Sequence, residues 1–218
     1  MKQNIIIFGS SSEVSKSFKK LLNKNMYSVY TISRSDSPDS CHLKLSDYID
    51  DLEEIKEFVS GIDKPIIIFF NGYIAENRNK YEPNPSEISK TDLINFQIPY
   101  VLSNEINKLL FINKFVYIST IASVRPRFKN YIYGLSKNKL EKSLKFLNLN
   151  SYLVIKFGKI ETSMSKNHKS PPFTMSSDRA AKIIIKKLRK TGVVTADYKI
   201  FLSKLIIILF PQNFINKF

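Results

Sequence analysis

Four stretches of almost unbroken apolar sequence recur along the chain, and they constrain its fold more than any other feature. They are Gln3–Phe8, Pro65–Phe70, Lys114–Ser119 and Ser151–Phe157. A strand that is covered on both faces does not alternate apolar and polar residues, and such strands are typical of parallel sheets between helices. Amphipathic helical patterns separate the four runs. The sequence therefore predicts an α/β fold with a doubly wound parallel sheet in a three-layer α/β/α arrangement.

The remaining segments complete this pattern. Three further strands are predicted at Tyr27–Ile32, His42–Leu45 and Gly192–Ala196. Helices are predicted at Val14–Leu22, Asp50–Ser60, Asp92–Leu110, Tyr131–Leu147 and Asp178–Lys190, and loops at residues 72–90 and 163–175. A chain of 218 residues is long enough for one such domain, which we place at residues 1–197, followed by a basic and apolar tail at residues 198–218.

Composition narrows the classes of function. Cys41 is the single cysteine, and with His42 and His168 it fits no zinc-ligand spacing, so we predict no metal site and expect a reducing, cytoplasmic location. The net charge of +15 would suit a nucleic-acid partner. From Lys156 onward, however, thirteen lysines and arginines stand against three acidic residues. Because the excess lies in the last third rather than on a basic, aromatic face, we predict no nucleic-acid partner.

The turn after the first predicted strand is a candidate phosphate site. In a Rossmann fold the pyrophosphate of a dinucleotide binds at the N-terminus of the first helix, where small residues let the backbone approach. The candidate contacts here are Gly9, Ser11, Ser12 and Val14. Only one of the three usual glycines is present, and a serine-rich helix cap would give the same pattern.

Ser33 and Arg34 come directly after the second predicted strand, at the place where a dinucleotide-binding fold contacts the adenine ribose. An acidic residue there accepts from the 2′-hydroxyl of NAD, whereas an arginine matches a 2′-phosphate through charge-assisted hydrogen bonds. Arg34 therefore favours NADP(H) as the cofactor, and NAD(H) stays open as a second choice. The alternative is a solvated surface arginine.

Tyr133 and Lys137 are four residues apart in a predicted helix, so both side chains can face one ligand. A neighbouring ammonium group is expected to lower the pKa of the phenol from about 10, which would make Tyr133 a usable general acid or base. Thr120 lies thirteen residues before Tyr133, at the end of a predicted strand, and Ser119 is adjacent. A hydroxyl group at this point can bind a substrate oxygen.

Taken together, these intervals resemble the short-chain dehydrogenase/reductase family over nearly the whole chain. The segment 118–137 is similar to the family's stretch from the catalytic serine to Tyr-x-x-x-Lys, with Thr120 in the place of the serine. Asn71 and Gly72 match the end of the family's Asn-Ala-Gly motif. Asn95 matches the helix asparagine that positions the lysine and a proton-relay water in the family.

The family's Pro-Gly…Thr stretch is matched by residues 157–162. The resemblance implies that Gly158, Ile160 and Thr162 bind the cofactor, with the threonine at the nicotinamide carboxamide. It also implies that the catalytic tyrosine and lysine contact the nicotinamide half of the cofactor.

Several positions depart from the family pattern. Thr120 stands for the serine and Phe157 for the proline. Glu13 and Ser15 replace two glycines of the phosphate turn, and Lys44 stands where many members have an aspartate that contacts adenine. Because a carboxylate aimed at the pyrophosphate would repel it, we expect Glu13 to face solvent. These departures affect the expected cofactor affinity more than the fold.

The last third of the chain has a closer resemblance. Residues 125–133, 170–182 and the tail are similar to membrane-associated members of the family, the 2-keto reductases that act on polyprenyl-phosphate pentoses in cell-wall arabinan synthesis. The apolar run Leu205–Phe210 is far shorter than the roughly 20 residues that span a bilayer. With its flanking lysines, the tail could lie on an anionic membrane surface at the inner face. The alternatives are a dimer interface and a helix that covers the core, and we expect a homo-oligomer.

The leading hypothesis is an NADPH-dependent reductase of a keto sugar in cell-surface polysaccharide or lipid-linked sugar synthesis. In this hypothesis Tyr133 protonates the substrate oxygen, which Thr120 or Ser119 polarises. Lys137 holds the nicotinamide ribose, and Asn95 and water return the proton. One alternative is a reductase of an unrelated small carbonyl or of a soluble sugar phosphate. Another is a non-catalytic scaffold that kept the fold.

Overall fold

A computed structural model describes residues 2–74, 84–109, 111–125, 130–166 and 173–215. The strands are β1 (Gln3–Phe8), β2 (Tyr27–Ser33), β3 (His42–Lys44), β4 (Ile66–Phe69), β5 (Lys114–Thr120), β6 (Tyr152–Phe157), β7 (Ile160–Glu161), β8 (Met175–Ser176) and β9 (Gly192–Thr195). The α-helices are α1 (Glu13–Leu21), α2 (Leu52–Ser60), α3 (Pro85–Asp92), α4 (Ile98–Leu109), α5 (Tyr131–Ser143), α6 (Ser177–Lys187), α7 (Tyr198–Leu209) and α8 (Gln212–Ile215).

Seven of these strands form one parallel sheet in the order β3-β2-β1-β4-β5-β6-β9. β7 and β8 form a separate parallel pair. The strand order reverses between β1 and β4, because β2 and β3 lie on one side of β1 and the later strands on the other. The predicted doubly wound sheet is confirmed. Sheets of this kind bind ligands in the crevice at the carboxyl ends of the strands beside the reversal.

Helices cover both faces of the sheet, so the strands are buried on both sides. Phe8 belongs to a core that is closed by α2, α4 and α5, whereas its neighbour Ile7 belongs to a second core under α1 and α6. In the first core the ring of Phe69 stacks between Phe8 and Tyr117, with centroid distances of 5.0 and 5.3 Å. The unbroken apolar runs of the sequence therefore reflect burial on both faces, as predicted.

The segment before β5 differs from the prediction. α3 begins at Pro85, inside the predicted loop at residues 72–90, and continues to Asp92. Asn84 caps this helix by accepting a hydrogen bond from the Ser86 backbone nitrogen at 3.0 Å, and Pro85 occupies the first helical turn. A π-helical turn, Leu93–Gln97, then leads into α4, so the predicted helix 92–110 corresponds to that turn followed by α4.

The predicted tail is largely helical. Asp197 caps α7 by accepting a hydrogen bond from the Ile200 backbone nitrogen at 3.0 Å. Ile200 is 1% exposed and packs in the second core, and Ile207, two turns later, is also buried. One face of α7 therefore lies on the sheet domain. Within the described ranges, no helix has the length and apolar character that crossing a membrane would require.

Candidate active site

The strand ends at the sheet reversal bring several candidate residues together. Gly9 follows β1, Asn71 lies two residues after β4, Thr120 ends β5 and Gly158 follows β6. Because these strands are parallel and adjacent, their carboxyl ends meet at one edge of the sheet. The residues that the sequence assigns to one site therefore start from one edge.

Gly9 allows two strand ends to approach each other closely. Its φ angle is +74°, a conformation that L side chains rarely adopt. A Cβ atom at this position would lie 3.0 Å from the Asn71 backbone nitrogen and 3.1 Å from the Phe70 carbonyl carbon. The first turn thus needs glycine here both for conformation and for space.

The same turn contains buried polar atoms without partners. Ser10 Oγ and Ser15 Oγ are buried, and neither has a hydrogen-bond partner among the described residues. Leaving such a group unsatisfied costs about 1–3 kcal/mol, unless a ligand or water satisfies it. These atoms fit a polar ligand such as the phosphates of a dinucleotide.

Three other residues predicted for this turn have different surroundings. Ser12 caps α1, since its side chain accepts from the Ser15 backbone nitrogen at 3.2 Å. Ser11 is exposed, and Val14 is nearly buried in the second core. The alternative of a serine cap therefore describes Ser12 correctly, while the hydroxyl groups of Ser10 and Ser15 take no part in that cap.

Glu13 faces solvent, as expected, but its carboxylate also forms a hydrogen bond to the segment after β6. It is exposed, but its Oε1 accepts a hydrogen bond from the Ser163 backbone nitrogen at 2.6 Å. This hydrogen bond lowers the pKa of the Glu13 carboxyl. The contact joins the first residue of α1 to the turn after Thr162, across the ligand edge of the sheet. A carboxylate therefore lies at the N-terminus of α1.

Arg34 stands just beyond β2 and is exposed. The two carboxylates that follow it are paired elsewhere, Asp36 with Lys44 at 2.9 Å and Asp39 with Lys19. Within the described chain Arg34 forms no ion pair, so its guanidinium is available to an anionic ligand. Ser33, by contrast, is buried and donates from its hydroxyl to the Ser35 carbonyl at 2.8 Å.

Tyr133 and Lys137 lie on α5, as predicted. Lys137 is 4% exposed, and its Nζ donates to the Asn71 carbonyl at 3.2 Å. Gly134 lets the helix approach the turn after β5, because a Cβ there would lie 2.5 Å from the Ala122 carbonyl oxygen. The tyrosine and lysine are thus held close to both the Asn71 strand end and the Thr120 turn.

The protonation of this pair differs from the expectation. Burial raises the pKa of Tyr133 to about 12. Burial also lowers the pKa of Lys137 to about 8, while Glu141 acts in the opposite direction. The predicted lowering of the tyrosine pKa is therefore wrong for the ligand-free site, because desolvation of the phenolate outweighs any help from the lysine. Near neutral pH, Tyr133 keeps its proton.

Thr120 and Ser119 have different environments. Thr120 Oγ1 accepts from the Ala122 backbone nitrogen at 3.2 Å, and it donates to no residue of the described chain. Ser119 Oγ donates to Glu141 Oε1 at 2.5 Å. Neighbouring strand residues point to opposite faces, so the two hydroxyls cannot serve one substrate oxygen from the same side.

Asn95 lies in the π-helical turn and is fully buried. Its Oδ1 accepts from the Tyr73 backbone nitrogen at 3.0 Å, and its Nδ2 donates to the Tyr73 carbonyl at 2.8 Å and to Ser136 Oγ at 3.2 Å. Ser136 is the neighbour of Lys137. Asn95 therefore connects the segment after Gly72 with α5, and a π turn at such a place is typical of functional sites.

The segment after β6 is joined to the first turn of α1 by the hydrogen bond between Ser163 and Glu13. Thr162 caps a 3₁₀ turn whose Met164 methyl carbon is 3.8 Å from the position of a Gly72 Cβ. Ile160 belongs to β7. A Cβ on Gly158 would lie 2.9 Å from the Cδ1 atom of Ile200, so α7 packs beside this turn.

Sequence reasoning overlooked two residues near the site. Gly134 was passed over, although its place beside Tyr133 on a predicted helix made a close approach plausible. Glu141 was also missed, although it follows Lys137 by four residues and so shares its helix face.

Solved structures share this fold. A short-chain dehydrogenase from Burkholderia cenocepacia J2315, solved in complex with NADP, has a TM-score of 0.78 and 12% identity, over 96% of this chain and 95% of that one. A 3-oxoacyl-[acyl-carrier protein] reductase from Brucella melitensis, solved with NAD, has a TM-score of 0.74 and 13% identity, over 93% and 98%. The ligand-free aldohexose dehydrogenase of Thermoplasma acidophilum has a TM-score of 0.71 and 13% identity, over 91% and 94%.

No protein-family model and no curated protein sequence matches the chain. The structural comparisons, and not sequence similarity, therefore show that the chain has the Rossmann-type fold of the short-chain dehydrogenases/reductases.

Proposed function

We propose that this chain is an NAD(P)-dependent oxidoreductase that reduces a carbonyl group, with Tyr133 as the proton donor. The observation that carries the proposal is the contact of Lys137 Nζ with the Asn71 carbonyl at 3.2 Å. The contact ties α5, which bears Tyr133, to the strand end that packs against Gly9. The helix that bears Tyr133 and the turn at Gly9 therefore both contact the segment around Asn71, which supports placing the proton donor and the cofactor at one edge of the sheet.

The cofactor would be held by residues on both sides of the sheet reversal. Gly9, Ser11, Ser12 and Val14 form the turn for its pyrophosphate. Ser33 and Arg34 lie at the adenine ribose, where the unpaired guanidinium favours NADP(H), with NAD(H) as the second choice. The nicotinamide half would be held by Asn71, Gly72, Tyr133, Lys137, Gly158, Ile160 and Thr162.

In this proposal, residues of the chain donate a proton to the substrate and take part in its replacement. The bound nicotinamide supplies the hydride that adds to the carbonyl carbon. Tyr133 donates its proton to the carbonyl oxygen, and Thr120 polarises that oxygen with its free hydroxyl hydrogen. The positive charge of Lys137 then stabilises the phenolate that is left. Asn95, fixed through Ser136, lies on the route by which water returns the proton.

For the substrate we propose a keto sugar of cell-surface polysaccharide or lipid-linked sugar synthesis. The support is the resemblance of residues 125–133, 170–182 and the tail to reductases of polyprenyl-phosphate keto-pentoses. Residues 126–129 and 170–172 of these segments lie outside the described residues.

A turnover assay tests the proposal. Purified protein is mixed with NADPH and a panel of keto sugars, with and without a polyprenyl-phosphate anchor, and NADPH fluorescence is followed. We expect NADPH to bind and at least one keto sugar to consume it. If NADPH binds and is oxidised only with an unrelated small carbonyl compound and with none of the sugars, the substrate is a small carbonyl compound and not a keto sugar. Absence of binding by both NADPH and NADH would overturn the proposal.

The tail suggests where a lipid-linked substrate would be met, and we propose that it lies on an anionic membrane surface. α7 exposes a set of large apolar side chains, namely Tyr198, Phe201, Leu202, Ile206, Ile208 and Leu209. Residues 198–218 contain lysines and no acidic residue. Each lysine near an anionic surface contributes about 1 kcal/mol. Arg125 holds the end of the helix, donating to the Phe210 carbonyl at 2.6 Å.

Vesicle sedimentation tests the membrane contact. Binding should require anionic lipid, weaken as salt rises and fall strongly in Leu202→Ser with Leu209→Ser. Phe146→Ser removes an equally exposed apolar side chain outside the tail and serves as the control. If the tail variant instead dissociates an oligomer in analytical ultracentrifugation and no form binds vesicles, α7 is a subunit interface.

One observation favours a second function, a non-catalytic scaffold. Glu13 places a carboxylate at the N-terminus of α1 and accepts from Ser163, so the phosphate turn is altered where a glycine is usual in the family. A scaffold would bind neither NADPH nor NADH. A fluorescence titration with NADPH and with NADH therefore separates the two functions.

A further inference from the structure

A buried ion pair lies behind the candidate active site. Lys156 on β6 and Glu141 on α5 are 2.5 Å apart, and their side chains are only 6% and 11% exposed. Removing two charges from water is unfavourable, and an apolar pair of similar volume is often as stable as a buried ion pair. A contribution to the free energy of unfolding therefore does not by itself explain the pair. The residues that the pair holds in position explain it better.

The Glu141 carboxylate gathers the hydroxyl groups on either side of Thr120. Ser119 Oγ donates to Oε1 at 2.5 Å, and Ser123 Oγ lies 2.7 Å from the same oxygen. Ser123 Oγ accepts from Lys156 Nζ at 2.6 Å and lies 2.6 Å from the Thr120 carbonyl oxygen. The position of Thr120 is thus fixed from both sides by one buried cluster.

α5 is fastened to the same turn next to the catalytic pair. Asn138, the neighbour of Lys137, donates to the Ser123 carbonyl at 2.7 Å. Gly134, the neighbour of Tyr133, lets the turn backbone come within 2.5 Å of where its Cβ would lie. A shift of the turn would therefore change the spacing between the substrate-binding hydroxyl and the proton donor.

Glu141 also acts on Lys137 through its charge. It raises the pKa of Lys137 against the opposing effect of burial. Lys137 Nζ also donates to the neutral Asn71 carbonyl, and Tyr133, one helical turn earlier on α5, is protonated near neutral pH. Lys156 is a second cation, and its charge is paired with the same carboxylate. Loss of the carboxylate would leave two buried lysines with no anion in this cluster.

We propose that Glu141 is a positioning residue that fixes Thr120 and Lys137 for proton transfer, by joining the ends of β5 and β6 to α5 through a buried ion pair. The inference rests on the proposed function, because it needs Tyr133 to be the proton donor. It assigns a role to three polar residues that the proposed chemistry does not use, namely Ser119, Ser123 and Lys156.

The test compares Glu141→Gln, Glu141→Asp and the control Glu105→Gln, which breaks an exposed pair on α4. We expect kcat of Glu141→Gln to fall by about 10- to 100-fold, as for a displacement approaching 1 Å in an active site. Its alkaline loss of activity should move to lower pH, since Lys137 then releases its proton earlier. Glu141→Asp should keep the wild-type pH profile, because the charge remains, while its kcat is reduced. NADPH affinity should change much less than kcat.

Folding is measured by circular dichroism and thermal unfolding. If Glu141→Gln does not fold, the double variant Glu141→Leu with Lys156→Met replaces the pair by apolar side chains and is assayed instead. Wild-type kcat and an unmoved pH profile in the folded variant would overturn the inference. If Tyr133→Phe retains turnover, the proposed function fails first; if Tyr133→Phe is inactive and Glu141→Gln is normal, only the role of Glu141 fails.

Discussion

Two glycines with nearly the same backbone conformation allow a direct test of the nucleotide turn. Gly9 has a φ angle of +74° and Gly192 of +76°. A Cβ on Gly9 would lie 3.0 Å from the Asn71 backbone nitrogen, whereas a Cβ on Gly192 has nothing within 4 Å. Both alanine variants therefore carry the same conformational strain, and Gly9→Ala alone must separate two strand ends.

We expect each variant to lose about 1–2 kcal/mol of unfolding free energy from the left-handed conformation. Gly9→Ala should lose about 1–3 kcal/mol more, since the Asn71 and Phe70 backbone must move. NADPH affinity should fall at least tenfold in Gly9→Ala and stay unchanged in Gly192→Ala, because only the first turn holds the pyrophosphate; tenfold corresponds to about 1.4 kcal/mol.

Urea unfolding gives the free energies, and a fluorescence titration with NADPH gives the affinities. The difference between the two variants isolates the contact with Asn71 from the conformational strain that they share. Equal stabilities and equal NADPH affinities would refute the assignment of this turn as the nucleotide site.

Three further predictions concern charge. Glu13→Gly should strengthen NADPH binding, because it removes a carboxylate from the N-terminus of α1; an unchanged or weaker affinity in calorimetry would show that the Ser163 contact does not compete with phosphate. Arg34→Asp should weaken NADPH binding and spare NADH, and an unchanged ratio of the two affinities would exclude Arg34 as the reader of the 2′-phosphate. Carbonyl reduction should decline as pH rises through about 8, where Lys137 loses its proton, while Tyr133 with a pKa of about 12 stays protonated; a rate that is constant up to the ordinary lysine pKa of about 10.4 would contradict this order.

The sequence was most informative where one physical rule dominated. Strands such as β1 and β4 are buried on both faces, so their apolar runs identified them and the sheet class together. The Tyr133–Lys137 spacing likewise needed only helix geometry. The prediction of a loop near residue 85 was wrong. The sequence of α3 is mostly polar and was therefore interpreted as a loop, although Asn84 and Pro85 are typical of a helix N-terminus.

The arrangement of the candidate site depends on contacts between residues that are far apart in the sequence. A local sequence pattern does not show such contacts. The cluster of Ser119, Glu141 and Lys156 joins two strands and a helix, and Glu141 is 22 residues from Ser119 and 15 from Lys156 in the sequence. The sign of the Tyr133 pKa shift was also unpredictable, because it depends on how deeply the phenol is desolvated. Strand alternation alone, however, could have separated Thr120 from Ser119.

The most direct test of the central claim is the turnover rate of Tyr133→Phe beside Tyr131→Phe. Tyr131 begins the same helix and is exposed, so it controls for the loss of one phenol from α5. The account predicts that Tyr133→Phe binds NADPH with near wild-type affinity and has lost carbonyl reduction by at least about 100-fold, the range of a general acid. Tyr131→Phe should retain both. Carbonyl reduction by Tyr133→Phe at the rate of Tyr131→Phe would contradict the account.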